Sequence, residues 1–300
     1  MARTSPTLKL PSWKGGLRGR VALVTGSSRG VGRGVALVLG EAGATVYVTG
    51  RTVRGHQSQW GVRGTIHDTA EEVSARGGVG IAVRCDHTRD PQIRKLVSRI
   101  ERNEGRLDIL VNNAFGGEDG KRPILSYDGF PYWKHDFAEW WHRMFTAYLR
   151  ATMATSLYAI PLMRRRRGGL IVNTLWWNRG RYLWDLFFDL ASYSVGRMAY
   201  GLDLELRSRD ITVVGVSPGW TRTEHMDDLP KSVLRKLPSP EYVGRGIVCL
   251  ALDPRRHDKS GRVLELGALA REYGFKNVDG RLIDYHTEIA KHPPAGAPPD

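Results

Sequence analysis

The sequence predicts one α/β domain built as a doubly wound parallel sheet, and three observations carry that expectation. From Arg20 onward, short apolar runs alternate with segments whose apolar positions recur at helical spacing. The runs are apolar at successive positions, the pattern of strands covered on both faces. The first run passes through a glycine-rich turn directly into a helix pattern.

Taken in order, "RVALVTG" reads as the first strand, "VGRGVALVLGEAG" as a helix and "ATVYVTGR" as the second strand. The helix pattern "HDTAEEVSAR" precedes a third strand, "GGVGIAVRCD", and the helix "IRKLVSRIERNEG" precedes a fourth, "LDILVNNA". A long apolar-faced helix, "WWHRMFTAYLRATMATSLYAIPLM", leads to strand "GLIVNTLWW", helix "YSVGRMAYGLDLELRSR" and strand "ITVVGVSPG". After Pro218 the regularity lapses until the helix "SPEYVGRGIVCLALD" and a last strand, "GRVLELG". The expected division is an N-terminal extension over 1–19, one doubly wound domain over 20–285, and a Pro-rich, disordered tail over 286–300. Ligands of such a sheet are expected at the carboxyl ends of its strands.

Composition narrows the classes. With 41% hydrophobic and 25% charged residues, the 300-residue chain is able to bury a sizeable core. It has no apolar run of the roughly 18 residues a spanning helix needs, and its N-terminus lacks the apolar stretch of a signal peptide, so no membrane span and a cytoplasmic location are expected. Cys85 and Cys249 follow no metal-ligand spacing and read as reduced core thiols, with no metal implied. The net charge of +14 attracts nucleic acid, anionic membrane and phosphorylated ligands alike. Its densest cluster, "MRRRRGG" at 163–169, closes a helix pattern, where cations complement the dipole; without a recognised nucleic-acid module, no nucleic-acid partner is expected.

The turn "TGSSRGVGRG", Thr25 to Gly34, stands between a strand and a helix, the context a phosphate-binding loop requires. Gly26 permits the tight turn, Gly30 lets backbone approach a phosphate and Gly32 lets helix and strand pack closely, with Ser28, Arg29 and Val31 completing the loop. The second strand ends in Arg51, where a site for NAD would carry Asp or Glu for the ribose 2′-hydroxyl. Arg51 together with Arg29 suits a 2′-phosphate, so NADP(H) is the expected cofactor.

"TGSSRGVG", "CD" at Cys85–Asp86, "NNA" at Asn112–Ala114, "YSVGR" at Tyr193–Arg197 and "SPGWTRT" at 217–223 together resemble the short-chain dehydrogenase/reductase family. The late segment "GRVLELGALAREYGFKNVDGR" is similar to the dehydrogenase/reductase member one branch, so the resemblance runs to about Arg281. It implies a Rossmann-like fold, an NADP-dependent oxidoreductase and a homodimer or homotetramer. It also implies that Asp86 accepts from the adenine amino group and that Asn112, Asn113 and Ala114 line the adenosine and ribose. Pro218, Gly219, Thr221 and Thr223 would frame the nicotinamide, and Tyr193 would protonate the substrate carbonyl.

The family's remaining catalytic groups are altered. Arg197 occupies the lysine position and, being permanently charged, cannot pass protons. Where the family reads Asn-Ile-Ser-Ser this chain has Asn173, Thr174, Leu175 and Trp176, and no asparagine occurs between Asn113 and Asn173. Tyr193 with Arg197 as its electrostatic partner is the expected catalytic pair, with Tyr148, Asn178 or Ser192 as a further donor. Arg179, Arg181, Asp185 and Asp189 are polar groups placed to meet the substrate. Phe115, Tyr148, Trp176, Trp177 and Trp184 are expected to wall a site for a bulky hydrophobic or aromatic carbonyl or alcohol; a subunit interface or an ordinary core also accounts for such rings. Non-redox chemistry on the same scaffold (cyclisation, isomerisation or dehydration) and NADP binding without catalysis remain the alternatives.

Overall fold

The computed structural model describes residues 13–56, 61–116, 132–183, 185–226 and 230–287. Seven parallel strands form one sheet in the order β3-β2-β1-β4-β5-β6-β7. They are β1 (Val21–Val24), β2 (Thr45–Gly50), β3 (Val79–Arg84), β4 (Ile109–Asn112), β5 (Gly169–Thr174), β6 (Ile211–Ser217) and β7 (Val263–Glu265). Strand order reverses between β1 and β4, the point at which sheets of this kind admit ligands at the carboxyl ends of their strands.

Each face of the sheet has its own core, and the strands feed them alternately. Ala22 and Val24 of β1 face the core shared with helices α1 (Gly30–Glu41) and α8 (Pro240–Leu252), whereas Val21 and Leu23 face the core shared with α3 (Asp90–Glu104) and α5 (Ala151–Met163). Helix α2 (Ile66–Ala75) begins at a capping box in which Thr65 and Asp68 satisfy each other's backbone N–H groups. Cys85 and Cys249 are buried, and burial pushes both thiols up to about 12, which leaves them inert. The arginine run is a solvated helix end in which Arg165 pairs with Glu101 and Arg167 with Asp210.

Two helices depart from the sequence reading. The long fourth helix runs as a short α4 (Phe137–Trp140), a π-helical stretch over Trp141–Arg150 and then α5. Periodicity does not reveal that widening, which shifts every side chain ahead of it relative to α5. Helix α6 (Leu186–Leu206) begins seven residues before Tyr193, because Asp185 accepts from the Phe188 N–H at 2.8 Å and caps it. Trp184 and the tail beyond 287 lie outside the described residues.

Helices α1 and α8 touch through glycine: a Cβ on Gly34 would lie 2.2 Å from the Pro240 carbonyl carbon. Gly201 on α6 has ordinary helical φ and open space around it. Gly34→Ala is therefore expected to lower stability by about 1–3 kcal/mol, and Gly201→Ala to raise it by about 0.5–1 kcal/mol. Urea unfolding of both variants checks the opposite signs.

Candidate active site

The site is built around a cradle at the carboxyl ends of β1 and β4. Thr25 Oγ1 accepts from the N–H groups of both Asn113 and Ala114 at 2.8 Å, and Asn113 Nδ2 donates to the carbonyls of Thr25 and Gly26 at 3.1 Å. Gly26 and Gly30 have φ of +62° and +56°, in the left-handed region that favours glycine. A Cβ on Gly32 would lie 2.3 Å from the Gly26 carbonyl oxygen, so that position admits no side chain. The turn thus presents the N-terminus of α1 as bare backbone.

An anionic group already sits there. The Glu224 carboxylate accepts from the Gly30 N–H at 2.8 Å, where the dipole of α1 and its unpaired amides favour negative charge. Beside it, Thr223 Oγ1 is buried without a hydrogen-bond partner, and its methyl lies 3.4 Å from where a Gly30 Cβ would be. Bare amides, a carboxylate on them and an orphaned hydroxyl fit a dinucleotide's pyrophosphate.

The other predicted cofactor residues divide. Ser28 is buried under the turn and Val31 packs against the core behind it. Arg51 is exposed at the end of β2 and acts on Asp86. Burial works to raise the Asp86 pKa, but two hydrogen bonds from Thr88 and the charges of Arg51 and Arg89 outweigh it and hold the carboxyl below its ordinary value. Arg29 donates to the carbonyls of Arg63 at 2.9 Å and Gly64 at 2.7 Å, which ties the phosphate turn to the segment before α2. Asn112 is turned inward, where its amide donates to Ser156 Oγ and Asn173 Oδ1 at 2.9 Å each. That side chain clamps β4 to β5 and is turned away from the position expected of a residue lining the ribose. Thr221 Oγ1 donates to the Gly219 carbonyl, and the ring of Tyr285 covers Gly219 so closely that a Cβ there would lie 2.4 Å away.

Tyr193 lies one layer further out. Its hydroxyl accepts from the Gly180 N–H and donates to the Arg181 carbonyl, both at 3.0 Å, so the loop 178–183 closes over it. Burial raises its pKa; the Gly180 bond works against that shift and the Asp189 carboxylate adds to it. The charge felt by Tyr193 is therefore that of Asp189. Arg197 is exposed and lies over the ring of Tyr200 at 4.5 Å, so the expected electrostatic pairing of Arg197 with Tyr193 is not the arrangement found.

The aromatic residues do gather around this tyrosine. Trp177 packs on Tyr193 with centroids 4.6 Å apart, Phe115 stands edge-on to Tyr148 at 5.1 Å, and Trp176 belongs to the same cluster. These rings fill one another's space, so a bulky substrate requires some of them to part. The Tyr148 hydroxyl donates to the Thr174 carbonyl at 3.1 Å; burial raises its pKa, and the neighbouring Ser192 hydroxyl opposes that slightly. Asp185 pairs with buried His135 at 2.7 Å, and Asp189 accepts from the Leu183 N–H at 2.9 Å. Among the described residues no group of His, Cys, Asp or Glu is arranged to hold a metal, and no helix is long and apolar enough to cross a membrane.

Sequence reasoning missed Glu224, Tyr285, His286 and the Arg179–Glu265 pair. Arg179 grips Glu265 with two bonds of 2.7 Å while its own backbone holds a left-handed φ of +54°. His286 Nε2 stands 3.0 Å from Ser217 Oγ and 3.1 Å from the Trp177 carbonyl, which joins the C-terminal segment to β6 and the loop. Glu224 directly follows "SPGWTRT", and Glu265 lies within "GRVLELG", but neither segment shows what its carboxylate meets; Tyr285 and His286 lie beyond the quoted motifs. Removing the Glu265 carboxylate as Glu265→Ala frees the loop's anchor. The Gly180 amide is expected to exchange with solvent about tenfold faster, while global stability falls by no more than about 1 kcal/mol. Residue-resolved hydrogen exchange beside a urea titration checks it.

Comparison with known proteins agrees with this geometry. The sequence model of the short chain dehydrogenase family matches residues 20–233. The chain is 34% identical over 285 residues to the mouse protein named dehydrogenase/reductase SDR family member 1, covering 90% of this chain and 87% of that one. It is 30% identical over 239 residues to a chloroplastic NADPH-dependent aldehyde reductase 2 of Arabidopsis thaliana, covering 76% and 82% of the two chains. A solved short chain dehydrogenase structure from Mycobacterium thermoresistibile superposes with a TM-score of 0.73 at 22% identity, over 89% of this chain and 92% of that one. The protein belongs to the short-chain dehydrogenase/reductase family, whose members are oxidoreductases that use nicotinamide nucleotides.

Proposed function

We propose that the chain is an NADP(H)-dependent oxidoreductase acting on a bulky hydrophobic carbonyl or alcohol, with Tyr193 as the proton donor. One observation carries the reading: a glycine cradle that presents α1 backbone to a negative group and already holds the Glu224 carboxylate. The bound nucleotide supplies the hydride. This chain's residues hold and screen: Gly30 and its neighbours offer amides to phosphate, Arg51 offers a guanidinium at the end of β2, and Asp86 is kept ionised at the adenine end. The Arabidopsis relative's NADPH dependence agrees with the choice of NADP(H) over NAD(H).

Tyr193 carries its proton as a phenol, since its ordinary value already lies well above pH 7; burial under the loop raises that value further and makes it a weaker acid, so lifting the loop favours proton transfer. To act, its hydroxyl exchanges the Arg181 carbonyl for a substrate oxygen, which requires the 178–183 loop to lift. Trp177 and Phe115 then become walls for an apolar substrate. A homo-oligomer is part of the same proposal.

The loop also favours a second reading. A hydroxyl held from both sides, with Arg197 on Tyr200, suits a scaffold that binds NADP(H) and performs non-redox chemistry or none.

The two readings separate in one experiment on the full chain: NADPH binding by fluorescence, then oxidation against hydrophobic aldehydes and ketones. Wild type is expected to bind and oxidise NADPH. Tyr193→Phe is expected to keep binding and lose activity by at least about 10²-fold, and Arg51→Ala to weaken NADPH about tenfold while sparing NADH. Binding without oxidation across the panel transfers the case to the second reading. Failure to bind either nucleotide overturns both.

A further inference from the structure

We propose that a cleft between β3 and α3 binds a multiply phosphorylated small molecule. It does not depend on the function proposed above. The cleft encloses about 540 Å³, within the range of small-molecule sites, and its wall carries Arg84, Lys95, Arg99 and Arg102 with no carboxylate. Val83 adds apolar surface, and Leu96 closes the floor of the cleft.

The sequence of α3 produces this arrangement through its period. Ile93, Leu96, Val97 and Ile100 are buried beneath the sheet face. A second stripe is satisfied within the chain, since Arg94 lies over Tyr158 and Glu101 pairs with Arg165. Gln92, Lys95, Arg99 and Arg102 form a third stripe at three- and four-residue spacing, on the side turned to edge strand β3. Lys95 and Arg99 are like charges one turn apart, an arrangement that destabilises a helix.

The cluster differs from the chain's general positive charge. Arg20, Arg33, Arg54, Arg76, Arg106 and Arg207 each hold a carboxylate. Among the described residues, no carboxylate lies within ion-pair distance of the four cleft cations. Glu104, at the end of α3, accepts instead from the Tyr47 hydroxyl at 2.9 Å. Repulsion left uncompensated inside a concave site is relieved by an anion. The cations on α3 lie within eight residues, Lys95 to Arg102, about 10 Å of helix, long enough for several phosphoryl groups and short for a nucleic-acid footprint. Guanidiniums match phosphate geometry, and the apolar wall suits the carbon portion of the ligand. Gln92 Oε1 also accepts from the Asp86 N–H at 2.8 Å, so the cleft abuts the β3 end of the nucleotide crevice without being part of it.

The probe is inorganic tripolyphosphate, titrated calorimetrically into the full chain at 0.15 M salt. Arg99→Glu/Arg102→Glu is compared with Arg164→Glu/Arg166→Glu, which makes the same charge change at the exposed helix end. Thermal melts check that both variants fold. The cleft variant is expected to lose at least tenfold in affinity, or one of two binding events, while the helix-end variant keeps its binding. Equal losses in both variants, no loss in the cleft variant, or no tripolyphosphate binding by wild type overturns the proposal. So does binding at the cleft of a short DNA duplex alone.

Discussion

The constraint on which the site rests is the absence of space where β1 meets β4. Thr25 Oγ1 draws the amides of Asn113 and Ala114 onto the end of β1, and Asn113 returns its own amide to the Thr25 and Gly26 carbonyls. The chain passes so close that a single methylene on Gly26 would sit 2.8 Å from the Ala114 Cα. That closeness leaves the α1 N-terminus unshielded, and an unshielded helix N-terminus recruits an anion. Glu224 meets this need from within the chain, and its carboxylate stands where the proposed cofactor's phosphate would bind.

A second self-contact lies at Tyr193, the proton donor of the proposed reaction. The 178–183 loop closes on the Tyr193 hydroxyl and is anchored away from it by Arg179 on Glu265, with the Trp177 carbonyl held by His286. The cofactor cradle and the tyrosine are thus both covered by polar groups of the same chain. Competition of this kind is reversible: each covering contact is one or two hydrogen bonds, individually worth about 1 kcal/mol, and a ligand making more bonds displaces it. Arg179 holds a left-handed φ of +54°, uncommon for a residue with a side chain, and its two bonds to Glu265 help to keep it there.

The strands and most helices were legible because their signals are local. Continuous apolar runs such as "VALV" become strands buried on both faces, and the helical spacing of "HDTAEEVSAR" becomes α2. The glycine cradle was legible for the same reason. Less visible were features set by tertiary contact. The start of α6 depends on the Asp185 cap, which also holds His135 from a distant segment. The orientation of Arg197 follows from Tyr200 one turn on, a competitor that spacing to Tyr193 does not reveal. Asn112 kept the motif position while its amide nitrogen turned to Ser156 and Asn173, because a buried N–H takes whatever acceptor the interior offers.

The most direct test of the central claim is a structure of the chain determined with NADPH bound. The expected result is a phosphate oxygen on the Gly30 amide, Glu224 displaced from it, and the Tyr193 hydroxyl facing the nicotinamide with the Arg181 carbonyl withdrawn. A nucleotide bound elsewhere while Glu224 stays on Gly30 would contradict the assignment of the cradle. A nucleotide in the cradle beneath an unmoved 178–183 loop would contradict the role given to Tyr193.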